Sequence, residues 1–166
     1  MSRDKQTRPH RRKIHNEMAD RRRELETVAR RWIEEIWRPG EHATFDELHA
    51  PDFRDRSAAG RGEAREDFRC MLSKFYAAFP DFHTEIDDLV TDEARGTVAI
   101  RWTATGTHRG AYLGVAPTGD RIDFAGIEII RISAGRIVER WGEWDGMGLL
   151  AQLGLWAPET EREGSS

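Results

Sequence analysis

The stretch GIEIIRISAGRIVERWGEWD, residues 126–145, predicts two strands joined by a tight turn at Ala134–Gly135. Apolar and polar side chains alternate along both halves, which is the pattern of half-buried strands. Glu128 interrupts the isoleucines of the first half. Burying an unpaired carboxylate costs free energy, so this position indicates either a buried partner or a function.

Alternation divides the hairpin between two faces of a sheet. We expect one face to carry Glu128, Arg140, Gly142 and Trp144, with Glu128 near Arg140 and Gly126 near Gly142. The two glycines on this face would leave room for a ligand. The other face would carry four large apolar side chains, Ile127, Ile129, Ile137 and Trp141. Because such a patch usually marks an interface, we expect a homodimer formed through the sheet face.

Helical spacing precedes these strands, and the period changes to two after Pro80. Helices followed by antiparallel strands indicate the α+β class. We expect N-terminal helices packed on a curved, mixed or antiparallel sheet that encloses a pocket. The predicted helices span 17–37, 44–50, 61–79 and 146–154, and the predicted strands span 81–90, 97–108, 126–132 and 136–144.

Composition excludes several classes of protein. The 166 residues include one cysteine, Cys70, so a disulfide framework is excluded, and we expect this thiol to be buried. No segment has the roughly 18 apolar residues of a membrane helix. Residues 1–23 hold nine basic and three acidic side chains, whereas the whole chain has a net charge of −4, so its body is acidic. An acidic body argues against nucleic-acid binding.

These observations predict a soluble, cytoplasmic protein with neither a nucleic-acid nor a membrane partner. Residues 1–16 are basic and residues 157–166 are polar, and we expect both ends to be disordered tails. One domain over residues 17–156 lies between them.

In this order of elements the chain resembles the SnoaL-like polyketide cyclases, or ester cyclases, of the NTF2-like superfamily. The similarity covers roughly residues 22–155 and is carried by ELHAPDFRDR (47–56), FPDFHTEIDDLV (79–90), RWTATGTHRGAYLGVAPTGDRI (101–122), the hairpin and LLAQLG (149–154). The resemblance implies a cone-shaped α+β barrel and a cofactor-free enzyme that is often a homo-oligomer. It also implies a hydrophobic cavity for a polycyclic or otherwise apolar small molecule.

Aromatic polyketide cyclases of this family close a ring by intramolecular aldol condensation, using a histidine and an aspartate. The resemblance places the histidine position at Glu128 and the aspartate position at Gly142, so neither residue type is retained. Glu128 is still the candidate general base. A desolvated carboxylate would accept a proton from a carbon next to a carbonyl, or from an attacking hydroxyl. The alternative is a structural ion pair with Arg140 or Arg101.

Two further residues are catalytic candidates. Asp145 would either point into the cavity mouth or cap the last helix, and His108 would either transfer a proton or hold its loop through a backbone hydrogen bond. No histidine pair has metal-ligand spacing, so we expect no metal, and the resemblance implies that no cofactor is needed. The candidate substrate-binding residues are Trp102, Trp144, Arg140, Tyr76 and Phe79.

The leading hypothesis is a cofactor-independent cyclase, a lyase or isomerase of polyketide or related secondary metabolism, acting on a hydrophobic small molecule. An epoxide hydrolase is the second, because Glu128, Arg140 and Asp145 could imitate the Asp-Arg-Asp set of such enzymes. A non-catalytic binding protein is the third. A well-buried acid facing a hydrogen-bond donor would favour the enzyme, and a cavity whose acids are all paired or exposed would favour the binding protein.

Overall fold

The computed structural model describes residues 7–40, 42–57 and 62–156, in which helices pack on one mixed five-stranded sheet. This arrangement confirms the predicted α+β class. The first helix, α1, runs from Thr7 to Arg31 and continues into a π-helical turn, Trp32–Ile36. The later elements are α2 (His42–Leu48), β1 (His49–Asp55), α3 (Arg65–Ala78), β2 (His83–Asp92), β3 (Thr97–Thr107), β4 (Arg121–Ser133), β5 (Arg136–Trp144) and α4 (Gly146–Gln152).

The strands lie in the order β1-β5-β4-β3-β2. The pairs among β2, β3, β4 and β5 are antiparallel, and β1 lies parallel to β5 at the sheet edge. Strand β1 is absent from the sequence prediction, in which the second helix continues to Ala50 and stops at Pro51. An edge strand tolerates proline, because one side of it needs no ladder hydrogen bond.

The β4–β5 hairpin has a different register from the predicted one. Glu128 lies opposite Gly142 and Gly126 lies opposite Trp144. A β-bulge contributes to the shift, because Val138 is an extra residue on β5 between the ladder pairs of its neighbours.

The bulge also changes which side chains face outward. Ile137 is fully buried, so its predicted place on the outer face is wrong. Ile127 and Ile129 remain on that face, with 54% and 43% of their surface exposed. Trp141 is partly exposed beside them.

Helix α1 is longer at its start than the sequence pattern predicts. Residues 7–16 are helical, although we expected a disordered tail there. Their many charged residues have good helix propensity, and Lys13 forms an i,i+4 ion pair with Glu17. Residues 1–6 and 157–166 lie outside the described residues.

The core lies between the helices and the concave side of the sheet. Helix α3 places Phe68, Leu72 and Phe75 on one buried face, at the spacing of successive helical turns. Cys70 lies on the opposite side of α3 and is exposed, so the prediction of a buried thiol is wrong. Within the described ranges, none of the helices is both long and apolar enough to span a membrane.

Candidate active site

Strand β4 carries Glu128 into the interior. Its side chains alternate strictly between exposed and buried along the whole strand, from Arg121 to Ser133. Glu128 belongs to the buried series and has 0% of its surface exposed. The alternation that buries Ile130 and Ile132 of β4 therefore also turns this carboxylate inward, under the helices.

Both oxygens of Glu128 accept a hydrogen bond from a buried donor. Arg140 Nη2 donates to Oε1 at 2.7 Å, and Trp32 Nε1 donates to Oε2 at 2.6 Å. Arg140 Nη1 donates to Asp55 Oδ1 at 3.0 Å. A buried row of carboxylate, guanidinium and carboxylate results, and it carries one cation between two acids.

Arg140 stays charged in this row. Burial alone would lower the pKa of its guanidinium, but Glu128 and Asp55 outweigh that effect, so its pKa is raised above the ordinary value. The guanidinium carbon lies 5.8 Å from the ring centre of Trp37 and 5.2 Å from that of Phe68. These contacts add cation–π attraction and close packing to the two ion pairs.

Two glycines of the hairpin make room for side chains of the protein. A Cβ on Gly142 would lie 2.3 Å from Arg140 Nη2 and 2.7 Å from its Cζ. A Cβ on Gly126 would lie 2.4 Å from Cζ2 of Trp102. The space that we expected a ligand to fill is therefore occupied in large part by a guanidinium and an indole.

A cavity of about 260 Å³ lies beside Glu128. Its wall is mostly aromatic, with polar groups from the row described above, and Glu143 and Trp144 are its most exposed members. The lining residues are Trp37, Ser57, Met71, Phe75, Phe82, Trp102, Tyr112, Phe124, Glu128, Arg140, Gly142, Glu143 and Trp144.

The structure brings four of the predicted site residues together in this cavity: Glu128, Arg140, Trp102 and Trp144. Tyr76 and Phe79 do not belong to its lining. The Tyr76 hydroxyl donates to the carbonyl of Ile36 instead, beside a separate small hollow.

Phe79 is fully buried, with its ring centre 5.4 Å from that of His108 and 5.2 Å from that of Tyr112. Phe75 and Met71 lie one and two turns earlier on α3, and they take the cavity-facing positions. Helical periodicity in the sequence finds the inner face of α3, but it does not show where along that face the cavity lies.

Asp145 and His108 also lie outside the cavity lining. Asp145 is exposed and caps α4, because its Oδ1 accepts the backbone N–H of Gly148 at 2.8 Å. His108 is fully buried, and its Nδ1 accepts the backbone N–H of Thr118 at 3.3 Å. These contacts support the alternatives considered for the two residues, helix capping and loop anchoring.

Asp55 and Trp32 are functional candidates that the sequence analysis missed. Asp55 lies in the ELHAPDFRDR stretch, but its partner becomes apparent only when β1 pairs with β5, in a register that sets Asp55 opposite Arg140. Trp32 has the spacing of a helical core residue, which hides its hydrogen bond to Glu128.

A neutral, buried histidine packs against Trp32, which donates a hydrogen bond to Glu128. His49 is fully buried, and burial lowers its pKa to about 4, although the hydrogen bond to the carbonyl of Phe45 opposes the shift. Its ring centre lies 5.1 Å from that of Trp32. The described part of the chain contains no group of three His, Cys, Asp or Glu side chains placed to hold a metal ion.

Comparison with known proteins identifies a matching family and several similar structures. A family model for SnoaL-like polyketide cyclases matches residues 27–153. AclR from Streptomyces galilaeus, a candidate hydroxylase, is 29% identical over 89% of this chain and 90% of its own, with a TM-score of 0.69. IdmH from Streptomyces antibioticus, a candidate polyketide cyclase, is 30% identical over 78% of this chain and 98% of its own, also with a TM-score of 0.69.

A more distant structure shares the fold. TsrD from Streptomyces laurentii is 24% identical over 81% of this chain and 98% of its own, with a TM-score of 0.72. The comparison with curated proteins finds no match.

Proposed function

The chain belongs to the SnoaL-like polyketide cyclase family, and we propose that it is an enzyme that closes a ring in an oxygen-rich, largely apolar substrate. Glu128 is the proton acceptor in this proposal. One observation carries it: a fully buried carboxylate lies in the wall of an aromatic cavity, with both oxygens oriented by donors. Its place in the wall of the cavity, rather than its burial alone, favours a function over a purely structural ion pair with Arg140.

The reaction begins when Glu128 accepts a proton from a carbon next to a carbonyl. The C–H electron pair forms the enolate, and the negative charge moves to the carbonyl oxygen. The enolate carbon then attacks a second carbonyl carbon of the same molecule and forms the new C–C bond. The alkoxide that results takes the proton back from Glu128, so the product is an isomer of the substrate.

Arg140 and Trp32 hold the base in one orientation. Because Asp55 fixes the far side of the guanidinium, Arg140 cannot rotate away from Glu128 without losing a second buried ion pair. Preorganised groups of this kind avoid reorganisation during the reaction. The positive charge also lies close to the place where the enolate charge develops.

The aromatic wall of the cavity favours an apolar substrate. The rings of Trp102 and Phe124 have centres 5.8 Å apart, and those of Phe124 and Trp144 have centres 5.4 Å apart. The planes of the two pairs cross at 77° and 51°, so the rings meet edge to face or tilted along this wall of the cavity. Its volume of about 260 Å³ suits a molecule of a few fused rings.

The two hydrogen bonds to Glu128 do not prevent it from acting as a base. Glu128 is paired and Glu143 is exposed, and that combination of acids is the one we expected of a binding protein. However, each carboxylate oxygen has two lone pairs, and each Glu128 oxygen has one donor partner among the described contacts. Lone pairs therefore remain for a substrate proton, and because Glu128 is 0% exposed, the wall around it has to move slightly before a substrate reaches them.

Glu128→Gln tests the proposal, because it keeps the shape of the side chain and removes the base. Single-turnover rates with the ring-closure substrate should fall roughly 10²–10⁴-fold, the usual worth of general acid–base catalysis. Glu143→Gln is the matched control, since Glu143 lines the same cavity but is exposed. Its rate should stay close to that of the parent.

Asp145→Asn completes the set, and it should also stay close to the parent rate, because asparagine is an equally good helix cap. An inactive Asp145→Asn beside a fully active Glu128→Gln would show that the base is Asp145. If the parent protein binds cavity-sized ketones but turns none of them over, the proposed function changes from an enzyme to a carrier of small molecules.

Hydrolysis of an epoxide is the second candidate. The row Asp55–Arg140–Glu128 has the alternation of acid, guanidinium and acid that such chemistry needs, with Asp55 in the place that we had given to Asp145. Asp55 is fully buried and is not among the residues that line the cavity, so it serves Arg140 better than it would serve a substrate oxygen. The test is hydrolysis of styrene oxide in ¹⁸O-labelled water. If the parent incorporates the label and Glu128→Gln does not, epoxide hydrolysis becomes the first candidate and ring closure the second.

A further inference from the structure

Three buried N–H donors of the cavity wall have no hydrogen-bond partner among the described residues. They are Nε1 of Trp37, Nε1 of Trp102 and Nε of Arg140. The three side chains are 9%, 4% and 3% exposed and line the cavity, but the donor nitrogens themselves are buried, so the wall has to open slightly before a ligand reaches them. A buried donor without a partner is costly, and few native donors are left so.

The three donors belong to one group of neighbouring side chains. The ring centre of Trp37 lies 6.4 Å from that of Trp102 and 5.8 Å from the guanidinium carbon of Arg140. Glu128 is a diagonal neighbour of Trp102, because the ladder sets Glu128 opposite Ile100 and Trp102 opposite Gly126. Diagonal neighbours are within reach of long and aromatic side chains.

Packing alone does not require these indoles. Phenylalanine forms much of the remaining wall, at Phe75, Phe82 and Phe124, and it would fill the space without a buried polar atom. By contrast, the indole of Trp32 has an internal partner in Glu128. Tryptophan at 37 and 102 adds a donor that none of the described residues uses.

We infer that Trp37, Trp102 and Arg140 form a subsite for the acceptor oxygens of the substrate, and that these are keto, enolate or phenolic oxygens. The indole donors are neutral, and the adjacent row holds two acids against one cation. That charge disfavours a substrate carboxylate or phosphate and suits a neutral carbonyl. The inference rests on the proposed function in that it places the substrate in the same cavity.

The subsite also has a consequence for the reaction. A carbonyl oxygen held by indole N–H groups lies in a fixed position relative to the carboxylate of Glu128. When Glu128 removes the proton next to that carbonyl, the donors face the oxygen that becomes negative. The group would therefore bind the enolate more strongly than the ketone, which lowers the barrier to its formation.

Two bicyclic probes test the subsite without any turnover. The ketone 2-tetralone and the hydrocarbon tetralin share a ring frame and differ in the carbonyl oxygen. The parent should bind the ketone more tightly than the hydrocarbon. Trp37→Phe and Trp102→Phe should each weaken ketone binding roughly 2- to 13-fold, the usual worth of one hydrogen bond, and should leave tetralin binding unchanged.

Trp144→Phe is the matched control, because Trp144 lines the same cavity but is 41% exposed and its indole nitrogen is not one of the three donors. It should change the affinity of both probes equally. A parent without preference for the ketone would overturn the subsite, and so would equal losses for both probes in Trp37→Phe and Trp102→Phe.

Indole N–H signals in ¹H–¹⁵N spectra of the parent give a readout that needs no variant to fold well. The chain has six tryptophans, and saturating ketone should move the signals of Trp37 and Trp102 downfield while tetralin should not. Equal shifts with both probes would count against hydrogen bonding.

Titrating Glu128→Gln with the same probes separates the two proposals. A retained ketone preference supports the subsite whatever the turnover result, and a parent without preference refutes the subsite while the test of the base still stands.

Discussion

Gly142→Ala should break the buried ion-pair row without touching a charged residue. The new Cβ would lie 2.3 Å from Arg140 Nη2, which is closer than any real carbon contact. A flexible side chain normally moves away from such a clash at little cost. Arg140, however, is 3% exposed and is held on both sides by buried carboxylates, so its guanidinium has to leave both of them.

The size of the effect follows from two opposing contributions. Breaking a buried ion pair by removing one partner costs about 3–5 kcal/mol, because a buried charge is left uncompensated. Alanine offsets about 0.5–1 kcal/mol of that, because it loses less conformational entropy than glycine on folding. We therefore expect Gly142→Ala to lower the free energy of unfolding by about 2–4 kcal/mol.

Urea denaturation measures this change, and Gly106→Ala is its control. Gly106 also lies in a strand, but the nearest atom to its added Cβ would be 3.4 Å away, an ordinary contact. Its free energy of unfolding should stay within about 1 kcal/mol of the parent value. In an Arg140→Met background, Gly142→Ala should cost much less than in the parent, because the clash has lost its partner. Equal costs in the two backgrounds, or equal stability of the two alanine variants, would refute the reasoning.

Three further predictions concern stability, assembly and the cavity wall. The folded-state pKa of His49 is about 4 and its ordinary value is 6.5, so its contribution to stability is complete above pH 6.5 and is lost as the pH falls toward 4. Thermal or urea unfolding at pH 7 and 5 should show a loss of about 2 kcal/mol from this group, absent in His49→Phe, and equal losses in both proteins would contradict it. Light scattering should give a dimer of the 19.1 kDa chain, and Ile129→Asp should give a monomer while the exposed loop variant Leu113→Asp stays dimeric. A monomeric parent protein would contradict the predicted dimer interface on the sheet. Gly126→Ala should displace the indole of Trp102 and weaken ketone binding, and unchanged ketone affinity would show that the glycine does not set the position of the indole.

The burial of Glu128 could be predicted from the sequence because β4 alternates without interruption. Parity along one regular strand decides which face a side chain takes, and nothing in β4 breaks that parity. The NTF2-like α+β class was predictable for a related reason, since it depends on the order and period of whole elements. The structural neighbours confirm that class.

The partners of Glu128 could not be predicted in the same way. Asp55 and Arg140 are 85 residues apart in the sequence and meet because β1 pairs with β5 in parallel. No local sequence pattern encodes that pairing. The bulge at Val138 changed the parity of Ile137, because one extra residue reverses every side chain beyond it. Helical periodicity marked Trp32 as a core residue correctly, but it carried no information about its indole N–H.

The central claim is that Glu128 takes a proton from a carbon next to a carbonyl, and hydrogen–deuterium exchange tests it most directly. The parent should exchange the α-hydrogens of 2-tetralone in D₂O faster than buffer alone, as followed by ¹H NMR. Glu128→Gln should lose roughly 10²–10⁴-fold of that enhancement, while Glu143→Gln keeps it. Exchange by Glu128→Gln at the parent rate, or a parent that exchanges no faster than buffer, would contradict the account.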